Sequence, residues 1–225
     1  MGPGRYPDKV PELPPTVRGR RMREQIVQTA AEMFAERGVH AVGLRDVLHA
    51  AGASKSQLYH YFDSKDDLVQ AVIAYQRSTV LGAHRSLLSR VGTWQDLADW
   101  LDAVVQVQQS LGWRGGCRLG SLASTLAETD DAARAALADC FTQWQAEIAA
   151  ALTALQDAGH LQHNADAGQL AAATLATIEG GLLLAQTARS GVPLHAAVKA
   201  AHRHLLTYAA PQTDPARPTA TTVDR

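Results

Sequence analysis

Residues 52–68, GASKSQLYHYFDSKDDL, concentrate the groups of this 225-residue chain that are best suited to touching another molecule's polar surface. Ser54, Ser56, Gln57, Tyr59 and His60 place hydroxyl, amide, phenol and imidazole groups along one short stretch, with the ammonium groups of Lys55 and Lys65 at either end. That mixture suits a surface helix that enters a groove. It does not suit catalysis. No nucleophile elbow, phosphate loop or dinucleotide fingerprint occurs anywhere in the chain, so no catalytic residue is assigned and no enzyme is expected. His160, His163, His195, His202 and His204 complete no ligand spacing with a carboxylate or cysteine, and Cys117 and Cys140 fit none either, so no metal or cofactor is expected.

The elements that must hold this stretch are legible from caps and periodicity. A helix from Arg18 to Arg37 carries Met22, Ile26, Ala30 and Phe34 on one face and stops at Gly38. A shorter one from Leu44 to Ala51 turns Val47 and Leu48 inward before Gly52. Ser54-Lys-Ser-Gln57 is a capping box that starts a helix of about two turns at Lys55, and Ser64-Lys-Asp-Asp67 starts a longer one through Leu68, Val72 and Tyr75. Helix, glycine turn, short polar helix and immediate restart make a helix-turn-helix.

The rest is also helical. The fourth helix extends toward Arg90, with Gly82 as a weak point. Further helices follow over about 95–111, 117–128, 130–158, 166–190 and 193–209. The last two repeat a 4, 3, 4, 3 seam: Ala171, Leu175, Ile178, Leu182, Ala185 and Leu194, Val198, Ala201, Leu205, Tyr208. These seams fit either pairing with a second copy or burial in the chain's own core. The symmetry of a two-half DNA site favours a homodimer through these helices.

The Pro-rich residues 1–17 and the Pro/Thr-rich residues 211–225 are expected to be disordered. The N-terminus lacks the apolar stretch of a secretion signal, and no uninterrupted apolar run approaches a membrane span, so a cytoplasmic location is expected. The formal net charge of -1 gives no global attraction to nucleic acid, but Arg18, Arg20, Arg21 and Arg23 make a local basic face.

AAGAS, LYHYF and SKDDL, in that order behind Phe34 and Gly38, resemble the DNA-binding domain of TetR-family transcriptional regulators over about Arg23 to Leu68. GCRLGSLASTLAETDDAARAAL, FTQWQAEIAAAL and TIEGGLLLAQTARS are similar to the LmrA/YxaF-like branch. The resemblance implies an all-α homodimer. Residues 18–66 would form a three-helix helix-turn-helix domain, and residues 67–210 a larger helical domain for effector binding and dimerisation. It also implies a palindromic double-stranded operator and release when a small-molecule effector binds. Gly43 stands where the family often caps with Ser or Thr, and Leu48 where a small Ala is usual, which shifts the expected packing of the second helix slightly.

On that reading Ser54 and Lys55, at a helix N-terminus, contact phosphate or the groove edge, while Ser56, Gln57, Tyr59 and His60 project toward DNA. Gln57 suits an adenine edge, although its capping role competes for the same amide. Leu58 and Phe62 hold the helix from inside. Lys65 matches a recurrent phosphate contact of the family, and Arg45 is a further candidate. Trp100, Trp113, Cys117, Phe141, Trp144 and Glu179 are the candidate effector-pocket residues, an apolar set with one polar handle. The competing reading is a redox- or metal-responsive regulator that uses Cys117, Cys140 or the histidines.

Overall fold

Helix caps lay out the chain. In a computed structural model, which describes residues 14 and 16–211, the described residues form nine helices and no strand longer than a single bridge between Leu161 and Ala209. They are α1 (Val17–Arg37), α2 (Leu44–Ala51), α3 (Lys55–Tyr61), α4 (Lys65–Leu88), α5 (Trp94–Ser110), α6 (Arg118–Leu126), α7 (Asp131–Asp157), α8 (Ala167–Ala188) and α9 (Val192–Leu206). The fold is all-α. Most of the two expected disordered tails lies outside the described residues, and the first helix already begins at Val17, capped by the Thr16 hydroxyl.

Of the two capping boxes expected in the opening stretch the first forms in full, and the second only in part, because the Asp67 carboxylate accepts from the Asp63 N–H at 3.0 Å instead of from that of Ser64. The Ser54 hydroxyl accepts from the Gln57 N–H at 3.2 Å, and the Gln57 side-chain oxygen accepts from the Ser54 N–H at 2.8 Å. Ser64 caps α4 by accepting from Asp67 N–H at 3.1 Å. Gly43, with no side chain to offer, leaves Asp46 to accept its N–H at 2.9 Å, so α2 keeps half of the capping arrangement. The turn between α2 and α3 needs Gly52, whose φ of 63° lies in the left-handed region. Gly82 does not interrupt α4.

The apolar residues sort into two cores. One gathers Ile26, Phe34, Val47, Leu58, Phe62 and Val72, and it also takes Leu119, Leu122 and Leu126 of α6 and Leu137 of α7. The other is built from Leu81 and Leu88 of α4, Trp100 of α5, Trp144 and Ile148 of α7, and the inner faces of α8 and α9. The first core therefore does not end where the helix-turn-helix ends in sequence, because α6 and the first half of α7 close it. α4 runs through both cores. Leu48, the residue of unusual size, is only partly buried against the first one.

The seams of α8 and α9 face inward. Ala171, Ile178, Leu182, Leu194 and Leu205 are all buried in the second core, and α8 packs on α9 so closely that a Cβ built at Gly181 would lie 2.5 Å from that of Ala197. Of the two readings of the seams, burial within the chain's own core is the one realised. The opposite face of α8 is the unpartnered one: Leu183 and Leu184 are 63% and 59% exposed, and Val192 at the start of α9 is 73% exposed. α8 is long and apolar enough, at a mean hydropathy of 1.3, to meet the length and composition of a membrane span. Its packing between α7 and α9 is that of a core helix.

Candidate nucleic-acid interface and effector cavity

α3 has only seven residues, too few to be helical alone, and two inward anchors hold it. Leu58 and Phe62 are buried in the first core, and the Arg23 guanidinium lies 5.2 Å from the centre of the Phe62 ring. With that side fixed, Ser54, Lys55, Ser56, Tyr59 and His60 are exposed on the other, Tyr59 by half of its surface. Lys55 Nζ stands 5.7 Å from the Tyr59 ring, which aligns phenol and ammonium on one patch. The Ser54 and Ser56 hydroxyls are 3.0 Å apart. Arg45, on α2, is exposed as well.

Two candidates are placed differently from a freely displayed contact. The Gln57 amide oxygen is occupied by the Ser54 N–H, so a two-bond contact with an adenine edge requires that capping bond to open. The Lys65 ammonium donates to the Val39 carbonyl oxygen at 2.7 Å and ties the start of α4 to the loop after α1. Two of its three N–H groups stay available. The first constraint is the competition that the capping box announces in the sequence; the second leaves no motif, since Val39 and Lys65 are 26 residues apart.

Between α4, α5, α7 and α8 lies a cavity of about 230 Å³. Of the six residues proposed for it from sequence, Trp100, Cys117 and Trp144 line it, and Trp113, Phe141 and Glu179 do not. The Trp113 ring packs on the α8–α9 joint, where a Cβ on Gly191 would come within 2.5 Å of it, and near His195. Phe141 fills the seam between the two cores. Glu179 lies behind Cys117, the two side chains flanking Gly120. Aromatic type and helical spacing do not tell a wall residue from a packing residue, because both occupy the same inward face.

The sequence reading also missed His84, Gln108 and Arg118, which line the cavity. Trp100 Nε1 donates to His84 Nδ1 at 3.0 Å, and the His84 ring packs on that of Trp144 with centroids 4.3 Å apart. Burial lowers the His84 pKa from 6.5 to about 4. The unfolded chain takes up a proton near 6.5 that the folded chain refuses down to about 4. The stabilisation is therefore whole above 6.5 and is lost as pH falls through that window. Chemical denaturation at pH 7 and pH 4.5 is expected to show a drop about 2–3 kcal/mol larger for the wild type than for His84→Phe. Equal drops would mean that His84 titrates normally.

Cys117 is the N-cap of α6, its sulfur accepting from Gly120 N–H at 3.3 Å. Burial, aided by the neighbouring Glu179, pushes its thiol far up, and burial raises both the Glu179 carboxyl and the Cys140 thiol. A reactive thiol needs its thiolate stabilised, and here the reverse holds. Among the described residues no group of three or more His, Cys, Asp or Glu side chains is placed to hold a metal ion. The redox- or metal-responsive reading is thus not favoured.

Residues 26–72 match the family profile of bacterial regulatory proteins of the tetR family, and residues 94–200 match that of the transcriptional regulator LmrA/YxaF-like C-terminal domain. The transcriptional regulator AcuR of Cereibacter sphaeroides is 28% identical over 192 residues, which span 82% of this chain and 85% of that protein. The HTH-type transcriptional repressor KstR2 of Rhodococcus jostii is 36% identical over 67 residues, 30% of this chain and 33% of that one. The crystal structure of regulatory protein TetR from Rhodobacter sphaeroides superposes with a TM-score of 0.74 at 26% identity, covering 81% of this chain and 98% of that one. A helix-turn-helix with its polar helix held outward, a helical C-terminal region around a cavity, and matches to both halves agree: the chain belongs to the TetR family of DNA-binding transcriptional regulators, with a C-terminal domain of the LmrA/YxaF-like type.

Proposed function

We propose that the protein is a cytoplasmic, non-enzymatic repressor that binds a palindromic operator as a homodimer and lets go when a small molecule fills the cavity. The observation that carries this reading is the exposed row Ser54, Lys55, Ser56, Tyr59 and His60 on a short helix locked from behind by Leu58 and Phe62. Such a helix enters a major groove with its N-terminal residues foremost, where free N–H groups favour phosphate. Ser54 and Lys55 take the groove edge, Ser56, Gln57, Tyr59 and His60 face the bases and adjacent phosphates, and Arg45 and Lys65 add backbone contacts. Residues 18–66 form the DNA-binding domain in this scheme, and residues 67–210 bind effector and dimerise.

The second copy docks on the outer face of α8 and the start of α9, where Leu183, Leu184 and Val192 present an uncharged surface. Two recognition helices then meet successive major grooves about 34–36 Å apart. Effector binding acts through α4, whose first half is packed in the DNA-binding core and whose second half forms a cavity wall. A ligand changes DNA affinity only by preferring the conformation with the wrong spacing, and each tenfold preference is about 1.4 kcal/mol.

Fluorescence anisotropy with the duplex upstream of the protein's own gene, against a scrambled duplex across a salt series, tests the reading. Specific binding should weaken with salt, and Lys55→Ala, which removes one phosphate contact from each protomer of the dimer, should reduce the slope of log affinity against log salt by about two. A slope unchanged by that substitution removes Lys55 from the phosphate contacts. If sites selected from random DNA are also not bound, the DNA-binding reading fails.

A further inference from the structure

We infer that the cavity takes an uncharged, mainly apolar molecule with one hydrogen-bond acceptor, such as a ketone or ester, and that the Nε2–H of His84 is the donor that selects it. The inference rests on the reading of this cavity as the effector site and names the class of molecule it admits.

The tautomer follows from geometry. An indole N–H only donates, so the 3.0 Å bond from Trp100 Nε1 makes His84 Nδ1 an acceptor and leaves the proton of the neutral ring on Nε2. Among the described residues His84 forms no other hydrogen bond, and it lines the cavity. A second donor stands beside it. Trp144 Nε1 is buried without a hydrogen-bond partner, and the Trp144 ring, itself part of the wall, packs on His84 with centroids 4.3 Å apart. A buried donor without an acceptor, as at Trp144 Nε1, favours a guest that supplies one, and the His84 Nε2–H beside it has no acceptor among the described residues.

The remaining wall limits what else that guest carries. The Thr79 hydroxyl already donates to the Tyr75 carbonyl at 3.0 Å, and the Gln108 amide nitrogen donates to the Gly116 carbonyl at 3.3 Å. Among the described residues no Asp or Glu lines the cavity, so an ammonium guest would be desolvated without a counter-charge. Arg118 is the only cationic side chain of the lining among the described residues, and it also borders two hollows beside α1, which places it on the rim. At neutral pH the buried imidazole carries no charge to offer a carboxylate. At about 230 Å³ the cavity suits a compact guest.

Isothermal titration of the full-length protein, without DNA, with acetophenone, ethylbenzene, benzoate and benzylamine tests this. Acetophenone is expected to bind about tenfold tighter than ethylbenzene, the ratio supported by one net hydrogen bond, and tighter than either ion. His84→Phe should bind ethylbenzene as the wild type does and bring the ketone preference to within about twofold. Trp100→Phe leaves His84 in place but frees its proton to sit on either nitrogen, so the preference should shrink there too. This variant decides the matter if His84→Phe does not fold. Equal binding of ketone and hydrocarbon, preference for either ion, a preference unchanged by both substitutions, or no binding of any probe at millimolar concentration overturns the inference. None of these outcomes bears on DNA binding. Conversely, a ketone that binds as expected but does not release operator DNA faults the effector reading while leaving the cavity's selectivity intact.

Discussion

Leu58→Ala is expected to abolish specific DNA binding while the second core, built on α5, α8 and α9, stays folded. Leu58 is fully buried, and α3 is a seven-residue helix whose own hydrogen bonds cannot keep it formed in water. Its position depends on Leu58, Phe62 and the Ser54–Gln57 capping box. Truncating a buried leucine costs about 2–5 kcal/mol. That loss falls on the only buried residue of the helix that displays Ser56, Tyr59 and His60. Ser56→Ala, which removes an exposed hydroxyl, is the control and should leave the melting temperature unchanged. Anisotropy and thermal denaturation on the two variants separate the effects. Wild-type DNA affinity in a properly destabilised Leu58→Ala protein would mean that α3 is not the reading element.

The double substitution Leu183→Glu, Leu184→Glu is expected to convert the proposed dimer to a monomer with little change in the stability of the single chain. Both leucines are exposed on the outer face of α8, so the charges meet water in the monomer. Across a two-fold axis the same patch faces itself, and four carboxylates would be brought together and stripped of solvent. Operator affinity should fall about 100-fold or more, because the second half-site contact loses its effective concentration. Light scattering coupled to size exclusion reads the first effect, and anisotropy the second. A double variant that still runs as a dimer places the interface elsewhere. Gly181 offers no equivalent test, since a side chain there strikes Ala197 inside the chain and would disturb the core as well.

Both expectations draw on features of different legibility. The helix-turn-helix could be read directly, because its information is local. Caps lie three residues from the groups they satisfy, the glycine turn sits between them, and Leu58 and Phe62 are inward by simple helical spacing. The helices of the C-terminal half were legible for the same reason, with Thr93 capping α5 and Pro193 in the first turn of α9. The face each helix turns to a partner was not. The α8 and α9 seams had the periodicity of an interface, and that periodicity is identical whether the partner is another chain or the neighbouring helix. Only the packing of α8 on α9 showed that the seams are consumed internally and that Leu183 and Leu184 remain.

The cavity shows the same division. Sequence alone determined an all-α chain with a polar recognition helix, and it put Trp100, Cys117 and Trp144 among the candidates for the wall. Tertiary structure decided that Trp113 clamps the α8–α9 joint, that Phe141 is packing, that Glu179 lies behind Cys117, and that Lys65 is tied to Val39. It also brought forward His84, whose role depends on an indole 16 residues away on another helix and a second indole on a third. The physical reason is the range of the interactions. Capping and amphipathicity act within one or two turns and leave a pattern in the chain, whereas a hydrogen bond or ring contact across helices is set by how those helices pack and leaves no pattern in either one.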